Sequence, residues 1–236
     1  MDLIKKRLML WQSLHPSSVI QGYENHIKNG YPSNHTYKIK QGKLLPDRQL
    51  ARRYRTIYGL YPVELTSLAE ISCSKGFFVF SASHIPACTR TLGIDINQYD
   101  LDVCRWVKEK INSRAIFKNI RLHELAERID EFGGPFQTVL VINTYQYLYF
   151  GSIYFPEAYL DHDLIFKSLR KICKGRVIFN NRIQLSDCQN VDQIKDASHH
   201  SEHYNESKVR EVASQYFTLS DHGKIGKYPL LTFDVE

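Results

Sequence analysis

This 236-residue chain lacks most features that mark the specialised protein classes. Its five cysteines, Cys73, Cys88, Cys104, Cys173 and Cys188, are odd in number and scattered, with no Cys-x-x-Cys pair. That speaks against a disulfide framework and predicts a reduced, cytoplasmic protein. No apolar run approaches the roughly 20 residues of a membrane span. The apolar run near the N-terminus, within Met1-Asp-Leu-Ile-Lys-Lys-Arg-Leu-Met-Leu-Trp11, is too short for a signal peptide. There is no internal repeat and no low-complexity tract. The Gly-x-Gly-x-x-Gly fingerprint of nicotinamide enzymes is absent, which weakens an oxidoreductase reading.

What the chain does have is aromatic: 15 Tyr and 12 Phe, 12% of residues with Trp, too many for a globally disordered chain. Its net charge of +6 admits an anionic partner without requiring one.

Two compositional blocks follow one another. Residues 1–64 are rich in Tyr, His, Lys and Arg, with turn signals at Asn29-Gly30, Pro32-Ser33-Asn34 and Gln41-Gly42. They contain no long apolar strand and read as a helical N-terminal extension with loops, ending in a helix near 48–58. From 65 to 236 short apolar runs alternate with amphipathic segments, the pattern of a parallel α/β domain. Strands are predicted at 68–72, 91–96, 115–118, 138–142 and 176–179. Helices are predicted at 77–83, 101–111, 122–132, 161–173 and 206–213, with Gly133-Gly134-Pro135 and Gly175 as breakers. The run Thr138-Val-Leu-Val-Ile142 suits a central strand covered on both faces. Residues 216–236 read as two strands joined by a glycine-containing turn.

The most informative stretch is Glu70-Ile-Ser-Cys-Ser-Lys-Gly76, followed by the strand ending Gly93-Ile-Asp95. A strand here runs into a tight, small-residue turn that opens a helix, and the next strand ends on a carboxylate. A nucleotide-like ligand needs both parts: close approach to the main chain, and an acceptor for its ribose hydroxyls.

With five parallel-type strands, interleaved helices and a terminal hairpin, the chain from about Leu65 to Glu236 resembles the class I S-adenosylmethionine-dependent methyltransferases. The resemblance implies a Rossmann-like, doubly wound, mostly parallel sheet with a C-terminal antiparallel hairpin. It implies S-adenosylmethionine as cofactor. By this resemblance Glu70 would hold the methionine ammonium, and Ser72, Cys73, Ser74 and Gly76 would wrap the amino-acid end. Asp95 would accept the ribose hydroxyls and Ile96 would pack on the adenine. Asn119 and Ile120 would meet the adenine edge, and Asn143 and Thr144 would face the methyl donor. In the loop only Gly76 remains of the family's two or three glycines, and Ser72 and Ser74 do not tolerate positive φ as glycine does. That loss keeps open a non-catalytic binding module. The Asn/Asp-Pro-Pro-aromatic signature of base-amine methylation is absent, since Thr144 follows Asn143.

Tyr145 and Tyr147 are candidate walls of the acceptor pocket. Arg52, Arg53 and Arg55, interleaved with Tyr54 and Tyr58, are candidates for an anionic acceptor such as RNA, the alternative being a small molecule. A solvated helix face is the ordinary reading of such a run. His199 and His203 have helical spacing but no further ligands, so no metal is expected. His123 and Glu124 follow the third strand and could enter the active site; the start of a surface helix is the ordinary reading. Catalytic groups are not named by this pattern, because the cofactor carries the reactive bond.

Overall fold

The computed structural model describes residues 16–152, 156–189, 200 and 202–236. Helix α1 (Pro16–Asn29), a hairpin of β1 (Tyr37–Lys40) and β2 (Lys43–Pro46), and α2 (Arg48–Tyr58) come first. Then follow β3 (Ser67–Ile71), α3 (Phe77–Ser83), β4 (Arg90–Asp95), α4 (Gln98–Lys110), β5 (Ile116–Asn119) and α5 (Leu122–Glu127). The second half comprises β6 (Phe136–Ile142), α6 (Tyr145–Phe150), α7 (His162–Ile172), β7 (Cys173–Asn180), α8 (Glu206–Ala213), β8 (Thr218–Ile225) and β9 (Tyr228–Asp234).

Seven strands form one sheet in the order β5-β4-β3-β6-β7-β9-β8. The five from β5 to β7 pair in parallel, while β9 is antiparallel to both neighbours. Strands β3 and β6 are central and buried along their length, and helices cover both faces. One face packs α5, α7 and α8 against Ala69, Ile71, Val139 and Val141. The other packs α1 to α4 against Leu68, Leu140 and Ile178. Side chains alternate along a strand, so Glu70 faces the second layer, on which α2 sits.

Three sequence expectations change. The N-terminal block is not only helices and loops: Gln41 (φ 50°) and Gly42 (φ 71°) form the tight turn of a two-stranded sheet. Residues 145–150, unassigned by pattern, form α6. Gly175 lies inside β7 rather than breaking the chain before it, and α7 passes directly into that strand. Gly175 is required there because a Cβ would come within 2.5 Å of the Gln137 carbonyl oxygen. The cap of α7 is Asp161, whose carboxylate accepts from the Asp163 and Leu164 amides.

Candidate functional site

The parallel strands end on one edge of the sheet, and a cavity of about 430 Å³ opens there. Ile71 and Ser72 from the end of β3, Ile94 to Ile96 from β4, and Ile120 after β5 line it. Helix α5 and Tyr147 complete its walls.

The loop after β3 turns by placing three residues in the left-handed region: Ser72 (φ 56°), Ser74 (φ 47°) and Gly76 (φ 72°). Both serines adopt the backbone that glycine takes freely, at a cost of about 1–2 kcal/mol each. Neighbouring bonds hold them there. The Cys73 amide donates to the Ile94 carbonyl at 2.9 Å. The Ser74 amide donates to Asp95 Oδ2 at 2.8 Å, and Thr144 Oγ1 donates to Ser72 Oγ at 2.6 Å. Gly76 cannot carry a side chain at all, since a Cβ would lie 2.9 Å from Cys104, Phe117 and Phe80. Its glycine answers to core packing rather than to a ligand.

Asp95 lines the cavity at the end of β4. Its Oδ2 accepts from Ser74 and its Oδ1 accepts from the Asn97 amide at 2.9 Å. Each oxygen keeps a second lone pair. Burial pushes this carboxyl up to about 6, against the lowering effect of those amides.

The other sequence candidates divide. Ser72, Asp95, Ile96, Ile120 and Tyr147 line the cavity. Asn143 (φ 56°) and Ser74 are not in its lining, and their Oδ1 and Oγ atoms are buried without a hydrogen-bond partner among the described residues. Thr144 is held by its bond to Ser72. Cys73 points into the apolar layer beneath α3 and α4. Asn119 turns away, because its amide donates to the Ile96 carbonyl at 3.1 Å and it lines a separate cleft at the outer β5 edge. Tyr145 is no pocket wall: it is fully buried, and its hydroxyl lies 2.5 Å from His162 Nδ1. Glu70 does not line the cavity either; it is buried, with Oε2 unpartnered among the described residues. Burial raises its carboxyl well above the usual range, opposed by the charge of Arg53. His199 lies outside the described residues, and among those described no three His, Cys, Asp or Glu side chains gather for a metal.

Two residues outside the candidate list organise the edge: Asn181, which the sequence reading passed over, and His123, which it read as the start of a surface helix. Asn181 Oδ1 accepts from the Thr144 and Tyr145 amides at 2.7 and 2.9 Å, and its Nδ2 donates to the Val141 carbonyl. It thereby satisfies the first free N–H groups of α6. His123 lines the cavity instead of sitting on the surface. Signals were present: a polar Asn pair closing an apolar strand, and His123 four residues before Glu127.

The N-terminal block is bound to this edge by polar contacts. Lys75 Nζ donates to the Gly30 and Pro32 carbonyls at 2.6 and 3.1 Å, and Tyr37 Oη donates to the Lys75 carbonyl at 2.6 Å. Burial lowers the Lys75 amine to about 8. Of the three candidate arginines, Arg52 and Arg55 face solvent. Arg53 is 6% exposed and donates to His35 Nε2 at 2.9 Å and Asn180 Oδ1 at 3.1 Å. The side chain at 53 turns inward because it falls three residues after Leu50 and four before Ile57, on the buried stripe of α2.

His35 accepts from a cation, so it stays neutral; burial first, then Arg53 and Lys75, lower it to about 3. A histidine depressed in the folded state binds its proton more readily when unfolded. Its contribution is therefore intact above the unfolded value near 6.5 and declines as pH falls toward 3. Relative to His35→Gln, the parent's unfolding free energy should fall by about 1.4 kcal/mol per pH unit between roughly pH 6 and 4. Urea titrations of both proteins across that range measure it, and a constant difference would refute the assignment.

No protein-family model matches the chain, and no curated protein matches it in sequence. Solved structures do match. Protein PH0226 from Pyrococcus horikoshii OT3 superposes with a TM-score of 0.60 at 19% identity, over 80% of this chain and 92% of that one. The N-methyltransferase NodS from Bradyrhizobium japonicum WM9, in complex with S-adenosyl-L-homocysteine, gives 0.52 at 13% identity, over 92% and 98%. The N-terminal domain of EvdMO1 with the same ligand gives 0.55 at 12% identity, over 80% and 82%. This chain has the class I methyltransferase fold. At these identities the likeness is one of fold.

Proposed function

We propose that the protein is an S-adenosylmethionine-dependent methyltransferase whose cofactor lies in the cavity at the carboxyl ends of β3, β4 and β5. The observation that carries this reading is Asp95, lining the cavity at the end of β4, together with the buried Ser74 Oγ in the left-handed loop after β3 and the buried Asn143 Oδ1 after β6, neither of which has a hydrogen-bond partner among the described residues. Buried polar atoms without partners are costly, and a ligand's amino-acid end would satisfy them. The fit is also good elsewhere: Ile94, Ile96 and Ile120 give apolar walls for a nucleobase. The cofactor, when bound, supplies the transferable methyl group. The chain's residues position it, exclude water and present the acceptor in line.

The acceptor would enter past Tyr147. Its hydroxyl lies 3.1 Å from that of Tyr31, and both lie 3.0 Å from Gln189 Oε1. Gln146 fixes Gln189, donating to its carbonyl and accepting from its amide. In this reading the described part of the N-terminal block, residues 16–64, is a lid, with Tyr31 at the mouth, and the neutral phenol and amide groups favour a small-molecule acceptor. Arg52 and Arg55 face solvent, and neither lines the cavity. Among the described residues no helix is long and apolar enough to cross a membrane.

Calorimetry tests the reading. S-adenosylhomocysteine should bind, with no comparable binding of NAD or NADP; tight dinucleotide binding alone would overturn it. The serine-for-glycine loop keeps one rival in play, a binding module without turnover. Cofactor binding with no methyl transfer to any of a broad panel of acceptors would favour that rival.

A further inference from the structure

We propose that the outer face of the N-terminal block, formed by the β1–β2 hairpin and helix α2, is a docking surface for single-stranded RNA. The proposal does not depend on which acceptor enters the cavity, because none of the residues involved lines it.

Strand alternation builds the first half of this surface. Tyr37 and Ile39 turn toward the core, which leaves Lys38 and Lys40 exposed on β1. The register sets Lys38 opposite Leu45 and Lys40 opposite Lys43. The outer face of the hairpin therefore carries three lysines and one leucine. Helical spacing builds the second half. Leu50, Arg53 and Ile57 form the buried stripe of α2, so Arg48, Arg52 and Arg55, four and then three residues apart, make one exposed row. Asp47 alone separates β2 from α2, so the two faces adjoin.

The absence of counter-charge distinguishes this surface from an ordinary solvated face. Elsewhere on the molecule exposed bases meet acids: Arg105 pairs with Asp102, Arg128 with Glu131 and Lys208 with Glu211. From residue 25 to residue 63 the sole acid is Asp47. Its carboxylate is committed to the Leu50 amide at 2.7 Å and to the Thr36 hydroxyl. Among the described residues none of the six cations has an ion pair or a side-chain hydrogen bond. Like charges directly across a ladder, as at Lys40 and Lys43, oppose folding, and so do like charges four apart on a helix, as at Arg48 and Arg52. A polyanion laid across both faces replaces that repulsion with attraction and releases its own counterions.

Tyr58 indicates which polyanion fits. It follows Arg55 by one turn of α2, is 49% exposed, and is held by ring contacts with Tyr54 and Tyr61 at 5.6 and 5.4 Å. An aromatic ring fixed beside arginines stacks on unpaired bases while the arginines hold phosphates. Single-stranded RNA presents both groups. An anionic membrane would need apolar side chains to insert, and Leu45 is the one exposed aliphatic residue on these two faces.

The experiment uses the full chain and a fluorescein-labelled oligouridylate of about 12 nucleotides, followed by anisotropy between about 50 and 200 mM salt. Affinity should fall steeply with salt, at about −0.7 in log–log slope per phosphate neutralised. Combining Arg48→Ala, Arg52→Ala and Arg55→Ala should weaken binding at least about tenfold and make the slope shallower by about 2. Combining Lys167→Ala, Lys171→Ala and Lys174→Ala, at exposed positions on α7 and β7, removes the same charge and should change affinity by less than about twofold. Tyr58→Leu should weaken binding and leave the slope unchanged. Lys43→Glu places a carboxylate opposite Lys40, so it should raise Tm while lowering RNA affinity, a pair of effects that a purely structural lysine would not give. Three results would overturn the proposal: no binding of the oligouridylate by the folded parent, tighter binding to phosphatidylcholine–phosphatidylserine vesicles than to the oligouridylate, or an equal loss in the Lys167, Lys171 and Lys174 variant. S-adenosylhomocysteine binding should be the same in the parent and the arginine variant, so this proposal and the methyltransferase reading stand or fall separately.

Discussion

Asp95→Ala is expected to bind S-adenosylhomocysteine at least about tenfold more weakly than the parent. In the proposed site the carboxylate accepts two ribose hydroxyls, and each charge-assisted bond contributes about 1.5–3 kcal/mol. The fold should survive. Removing the carboxylate loses its bonds from the Ser74 and Asn97 amides, but it also removes a buried charge, and these effects oppose each other. The pH dependence adds a second check. Burial raises this carboxyl to about 6, so it is ionised at neutral pH and protonates as pH falls through 6. A ligand that prefers the ionised form should therefore bind more tightly as pH rises through about 6 and level off above 7. Calorimetry from pH 5 to 8 should show this step in the parent and not in Asp95→Ala. Equal affinity in a folded variant would remove Asp95 from the site.

The largest stability effect is expected at Arg53. Arg53→Met removes the donors to His35 and Asn180 and the positive charge that opposes the protonation of Glu70. Breaking a buried charged network from one side typically costs about 3–5 kcal/mol. Glu70 can take up a proton, which limits the loss here to about 2–4 kcal/mol. For a chain of this size that is a fall in Tm of several degrees. Glu70→Gln in the same background should recover part of the loss, giving a coupling energy by double-mutant cycle. Arg52→Ala and Arg55→Ala, both at solvent-facing positions, should each change stability by less than about 0.5 kcal/mol. Similar losses for all three single variants would contradict the inward placement of Arg53.

How far the sequence could be read depended on the kind of signal. Burial on both faces makes the run Thr138-Val-Leu-Val-Ile142 apolar throughout, and it is a central strand. The carboxylate closing Gly93-Ile-Asp95 was legible because strand ends converge on one edge whatever the loops do. The tail hairpin showed in its glycine turn. Side-chain direction was harder. Arg52, Arg53 and Arg55 have the same composition value, yet only the residue in phase with Leu50 and Ile57 is buried. Tyr145 and Tyr147 looked equivalent, but α6 turns one into the core and the other onto the cavity. The hairpin at 37–46 escaped notice because its strands are four residues long and rich in lysine.

The sequence by itself determined the layer architecture, the succession of strands and helices with its terminal hairpin, and the two chain positions, after β3 and at the end of β4, proposed to meet a nucleotide-like ligand. These follow from hydrophobic periodicity and local turn chemistry, which act over a few residues. Only the tertiary structure decided which polar groups remain unsatisfied at that edge. Asp95 and Ser74 are bonded across 21 positions, Arg53 and Asn180 across 127, and His123 and Tyr159 across 36. Whether a hydroxyl, amide or imidazole is free for a ligand depends on partners that chain folding, not chain order, brings within hydrogen-bonding distance.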